Sequence, residues 1–87
     1  MRKSVFTSQY KNLVASLVEM RKTAGLTQRE LADRLGRERS FIARVETGQR
    51  RVDLVELVWW CEACDTDATA KVSELVDQIR DRKHRGR

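Results

Sequence analysis

Residues 26–48 read LTQRELADRLGRERSFIARVETG, two short amphipathic segments that are each closed by a glycine. Thr27 stands where a helix N-cap belongs, and Glu30 three positions on completes a Thr-x-x-Glu capping box. Leu31, Ala32 and Leu35 then make the inner face of a helix barely two turns long, and Gly36 permits a sharp turn. The small Ala32 lets the following helix cross closely at a steep angle. That second helix is expected from about Glu38 to about Thr47, with Ile42 and Val45 pointing inward and Phe41 and Ala43 flanking them. Arg39, Ser40 and Arg44 fall on the opposite face, Ser40 and Arg44 as i, i+4 neighbours.

Upstream, Leu13, Leu17, Met20 and Ala24 follow one helical stripe, widened by Val14 and Val18. Thr7 or Ser8 can cap this helix, and Gly25 is expected to end it in the left-handed conformation. Arg21 sits beside the apolar stripe rather than opposite it, an unusual place for a charge. Residues 1–7, with Arg2 and Lys3, show no periodicity and are read as a flexible basic arm.

Downstream, Gly48-Gln49-Arg50-Arg51 is a polar, basic loop, and Asp53 can cap a fourth helix. Leu54, Leu57, Val58, Cys61 and Cys64 are expected to form its core stripe, with Trp60 covering an edge. Val55 and Trp59 are i, i+4 neighbours on the outer face. Such a pair either finds a partner or folds back over its own domain, and the first is expected. Asp65-Thr66-Asp67 breaks and caps a fifth helix carrying Ala68, Val72, Leu75, Val76 and Ile79 on one face, to finish the core or extend an interface. Residues 80–87 read as a frayed basic tail, leaving residues 8–79 as the folded domain.

Composition agrees with this order. Eighty-seven residues support one core, and a chain without proline, without Asn-Gly or Asp-Gly turns and without alternating β-branched runs is expected to be all-α. The net charge of +5 is unevenly placed: residues 1–52 carry +7, residues 53–79 carry −6 and residues 80–87 carry +4. A basic N-terminal half suits a polyanionic partner and leaves another surface for a different use. No apolar run approaches a membrane span and no signal-peptide core follows Met1-Arg2-Lys3, so a cytoplasmic protein without membrane contact is expected. Cys61 and Cys64 form a Cys-x-x-Cys one helical turn apart inside an apolar run. With no second cysteine pair and only His84 in the tail, they are read as small buried apolar residues. No carboxylate pair, nucleophile–base set or metal cluster appears, so no enzymatic activity, cofactor or metal is expected.

The residues Gly25-Leu26-Thr27-Gln28, Glu30-Leu31-Ala32, Leu35-Gly36, Ile42-Ala43-Arg44-Val45-Glu46 and Gly48 together resemble the phage repressor/Cro (Xre-type) family of helix-turn-helix DNA-binding proteins, over about residues 10–64. The resemblance implies a compact five-helix, lambda repressor-like bundle whose second and third helices form the motif. It implies base reading by Arg39, Ser40 and Arg44, in line with the bidentate fit of arginine to guanine. It also implies backbone contacts by Gln28, Arg29, Arg37, Gln49, Arg50 and Arg51, which set register without reading sequence. Arg21 and Glu46 match positions that often form a largely buried ion pair, which accounts for the odd placement of Arg21. The sequence departs from the family pattern at four points. Arg37 stands where an apolar residue is usual and can snorkel toward phosphate. Glu38 replaces a Ser or Thr cap, Val52 a frequent proline, and Trp59 a usually polar residue.

These residues imply a sequence-specific, double-stranded-DNA-binding transcriptional regulator, a repressor in the simplest mechanism, that binds an inverted-repeat (palindromic) operator as a homodimer. Val55, Trp59, Val72 and Val76 are the expected dimer surface. A bacterial or phage origin is expected, with the protein on the nucleoid when bound and without a small-molecule ligand. The alternatives are an antitoxin or restriction-system controller of the same fold, and a protein-interaction module that does not read DNA.

Overall fold

The computed structural model describes residues 7–85, with side chains described through residue 80. The expected arm, apart from Thr7, lies outside the described residues, as do Gly86 and Arg87. The regular structure among the described residues is five α-helices: α1 (Ser8–Thr23), α2 (Gln28–Leu35), α3 (Arg39–Glu46), α4 (Leu54–Ala63) and α5 (Ala68–Arg85).

Local chemistry sets most of these boundaries. Thr7 Oγ1 accepts from the Tyr10 amide at 3.1 Å and starts α1. Thr27 and Glu30 complete their reciprocal box on α2, at 3.0 and 2.8 Å. Asp53 caps α4 in the same way with Glu56 as its partner, at 2.8 and 3.1 Å. Glu38 is the N-cap of α3 but makes no side-chain capping bond, so its charge acts there only through the helix dipole. Gly36 takes φ 65° after α2, the left-handed geometry that closes the turn between α2 and α3. Asp65 takes the same region after α4 (φ 57°), a conformation that Asp tolerates better than most side chains.

The core gathers one face from every helix. Leu17 of α1, Leu31 of α2, Ile42 and Val45 of α3, and Trp60 and Cys61 of α4 are fully buried. α1 packs against α3, α4 and α5, while α2 packs against α3 and α4. Ala32, almost without exposed surface, lies where α2 meets α3, as expected for a close crossing.

Three expectations need correction. Trp60 does not cover an edge: it is at the centre of the core, and its indole Nε1–H donates to the Leu17 carbonyl at 3.1 Å. A buried tryptophan needs such a partner, and only the approach of α1 supplies it. Leu54 belongs to the predicted α4 stripe yet is 66% exposed. Periodicity assigns a residue to a face, but it cannot say whether a neighbouring helix reaches that level. Finally, α5 continues through residues 80–85, where a frayed tail was expected. No glycine or proline interrupts it before Gly86, and its Arg and Lys residues favour helix.

Candidate nucleic-acid interface

α3 presents two faces of opposite character. Phe41, Ile42 and Val45 are buried, whereas Arg39 and Arg44 are exposed and Ser40 is half-buried. The Arg44 guanidinium makes no hydrogen bond or ion pair among the described residues. Arg39 is held: its Nη1 donates to Gln28 Oε1 at 3.0 Å.

That contact is one end of a hydrogen-bonded chain through three helices. Gln28 Nε2 donates to Glu46 Oε1 at 2.9 Å. Glu46 also receives Arg21 Nε at 2.6 Å and Nη2 at 3.0 Å. Arg21 Nη1 donates in addition to the Leu26 carbonyl at 2.8 Å. The ion-paired side chains are only 11% and 6% exposed, so the charges are largely desolvated and need each other. The hydrogen bonds from Arg21 to Glu46 raise the guanidinium pKa against the cost of burial. α1, the start of α2 and the end of α3 are thereby locked together, and the lock ends on Arg39.

A second polar cluster borders the same face. Arg37, from the turn before α3, and Arg50, from the loop after it, lie over the Phe41 ring at 3.8 and 4.8 Å from its centroid. Both guanidiniums also reach Glu56. Arg50 Nη1 and Nη2 donate to its Oε1 and Oε2 at 2.9 and 3.1 Å, and Arg37 Nη1 lies 3.4 Å from Oε2. The Arg50 hydrogen bonds, with help from the Asp53 amide and Arg37, hold the Glu56 carboxyl below the usual range despite desolvation. Arg37, Ser40, Arg44 and Arg50 line one open groove together with Phe41.

The remaining basic residues are on the periphery. Arg51 stacks over the Tyr10 ring at 4.2 Å, and Tyr10 Oη accepts from the Val52 amide at 3.1 Å, so α1 supports the loop. Gln49 is exposed in that loop, and Arg29 is exposed on α2. Val55 and Trp59 are each 53% exposed on α4, so Trp59 does not fold back into its own core, although it borders Leu35, Arg37, Phe41 and Glu56. Val76 is 40% exposed, but Val72 packs against the core and offers a partner little surface.

Sequence reading passed over Tyr10 and Glu56. Tyr10 gives no signal without the fold, because its partner lies 42 positions away. Glu56 does have one: Asp53-x-x-Glu56 has the same capping-box spacing as Thr27-x-x-Glu30. Cys61 and Cys64 are free, buried thiols, and burial pushes Cys64 up to about 11. No group of three or more His, Cys, Asp or Glu that could hold a metal ion occurs among the described residues. None of their helices is long and apolar enough to cross a membrane.

Residues 12–75 match a family described as a helix-turn-helix domain. Among solved structures, the chain is similar to an XRE-family like protein from Pseudomonas syringae pv. tomato str. DC3000. The two are 41% identical over 82% of this chain and 87% of the other, with a TM-score of 0.77. The restriction-modification controller protein C.AhdI from Aeromonas hydrophila is 36% identical over 72% of this chain and 96% of its own, with a TM-score of 0.61. The clp gene regulator ClgR from C. glutamicum shares the fold at 23% identity, covering 84% of this chain and 95% of its own, with a TM-score of 0.69. No curated protein matches the chain.

Proposed function

The chain belongs to the Xre-type family of helix-turn-helix DNA-binding regulators, and on that premise we propose that it represses transcription as a homodimer bound to an inverted-repeat operator. In this reading α3 of each copy enters the major groove. Arg39, Ser40 and Arg44 face the base edges, and Gln28, Arg29, Arg37, Gln49, Arg50 and Arg51 meet the phosphates. The observation that carries it is the outer face of α3. A free Arg44 and an Arg39 braced through Gln28, Glu46 and Arg21 stand on a helix whose other face is wholly buried. Base readout needs this rigidity, because a bidentate contact fails when its donor helix can rock.

One such helix reads roughly four or five base pairs, too few for a unique site. Two copies with reading helices about 34 Å apart double the site on one DNA face. Val55 and Trp59, apolar and half-exposed, supply a surface suited to that pairing, with Val76 as a further candidate. Selection of bound duplexes from a random DNA pool tests the reading. A palindromic consensus supports it, and failure to enrich any sequence overturns it.

The likeness to C.AhdI favours a second reading in which the regulated genes are those of a restriction–modification system. The two readings share every contact above and differ only in the operator's location. Mapping the selected site onto the native genome separates them.

A further inference from the structure

We propose that Glu56 is a positioning residue for DNA binding: its carboxylate holds Arg37 and Arg50 over the Phe41 ring, aimed at backbone phosphates beside α3. The proposal rests on the DNA-binding reading above and adds to it an acid that touches no DNA.

A helix cap alone does not account for this side chain. A capping box needs one oxygen at its third helical position, and Glu56 Oε1 meets that need by accepting from the Asp53 amide at 3.1 Å. The rest of the carboxylate is used elsewhere. Its two oxygens also take Arg50 at 2.9 and 3.1 Å and face Arg37 at 3.4 Å, with the Glu56 side chain 11% exposed. Phe41 supplies an aromatic floor under both guanidiniums. Arg50 is fixed further by donating from Nη1 to the Arg51 carbonyl at 2.6 Å.

The arrangement leaves both arginines able to act. Their side chains remain 36% and 39% exposed and line the groove shared with Ser40 and Arg44. Each guanidinium has five N–H donors, and Glu56 occupies only some of them. Two cations against one anion leave the cluster net positive. Long side chains that are already ordered lose less freedom on meeting a phosphate than free ones do. The converse role, a carboxylate that quenches the arginines and repels DNA, predicts the opposite sign for the same substitution.

Glu56→Gln is the discriminating variant, since its amide oxygen can still accept the Asp53 amide and keep the cap. Against the operator selected by the wild-type protein, the variant should bind about 10-fold more weakly, with a log–log salt slope shallower by about one. Its affinity for random-sequence duplex should fall as well, because phosphate contacts carry no sequence information. In the free protein, NMR should show faster guanidinium rotation at Arg37 and Arg50 in the variant. Tighter or unchanged operator binding, or unaltered guanidinium rotation, would each overturn the proposal. If the wild-type protein selects no operator, the DNA-binding reading itself fails, an outcome distinct from a wild type that binds and a variant that matches it.

Discussion

Arg21 and Glu46, 25 positions apart, meet through two hydrogen bonds with side chains 11% and 6% exposed. Removing one partner strands the other in a poorly solvated site, which typically costs about 3–5 kcal/mol. Arg21→Ala should therefore lower the thermal midpoint by well over 10 °C, at about 4–8 °C per kcal/mol for a domain of this size. A wild-type melting curve for this variant would show that the pair is dispensable.

Arg39 and Arg44 sit on one exposed face, but only Arg39 has a side-chain partner. The double Arg39→Ala/Arg44→Ala variant should lose operator binding while sedimentation shows the same oligomer. Each arginine that reads a guanine should account for about 1–3 kcal/mol of discrimination. Arg51→Ala, by contrast, should weaken all DNA uniformly and reduce the salt slope by about one. Unchanged operator affinity in the double variant would mean that α3 does not read DNA.

The adjacent tryptophans should respond differently. Trp59 is 53% exposed, so Trp59→Ala should leave the fold stable and raise the monomer fraction in sedimentation equilibrium. Trp60 has no exposed surface and donates to Leu17, so Trp60→Ala should cost about 3–5 kcal/mol in urea unfolding. An unaltered oligomer for Trp59→Ala moves the interface off α4.

Acid should weaken the α4 start in a defined direction. The Glu56 carboxyl lies below its ordinary value of 4.5 in the folded chain, so the unfolded chain binds the proton more readily. Its stabilising contribution is complete above the unfolded value and disappears as pH falls through the folded one. The stability difference between wild type and Glu56→Gln should be flat from about pH 6 upward and shrink below about pH 4. A difference that instead grew in acid would contradict the Arg50–Glu56 geometry.

The thiols should be quiet in the native state. With Cys64 at about 11 and both side chains buried, neither should react promptly with a thiol reagent at pH 8. Two equivalents should react once the chain is unfolded.

Much of the fold was legible because its signals are local. Thr27–Glu30, Gly36 and the Leu31/Ile42/Val45 pattern each act within a turn or two, and they fall where the helices begin, turn and bury. The misplacements on α4 share one cause. Leu54 and Trp60 were assigned from the periodicity of α4 alone, and their burial depends on how far α1 and the other helices extend alongside it. Val72 and Val76 were grouped on one face, yet the core takes the first and leaves the second 40% exposed. The length of α5 was underestimated because a dense run of charges suggested fraying, although such residues are good helix formers.

By itself the sequence determined the two-helix motif and which residues of α3 face out. Helical spacing alone sorts Arg39, Ser40 and Arg44 from Ile42 and Val45. Only the tertiary structure decided what holds those outward residues. Arg39 is braced by Gln28 and, through it, by Glu46 and Arg21, and Glu56 gathers Arg37 and Arg50 over Phe41. These partners lie 6 to 25 positions apart. Contacts at such separations exist only after hydrophobic burial has brought the helices together, and a pattern that repeats every 3.6 residues carries no record of them.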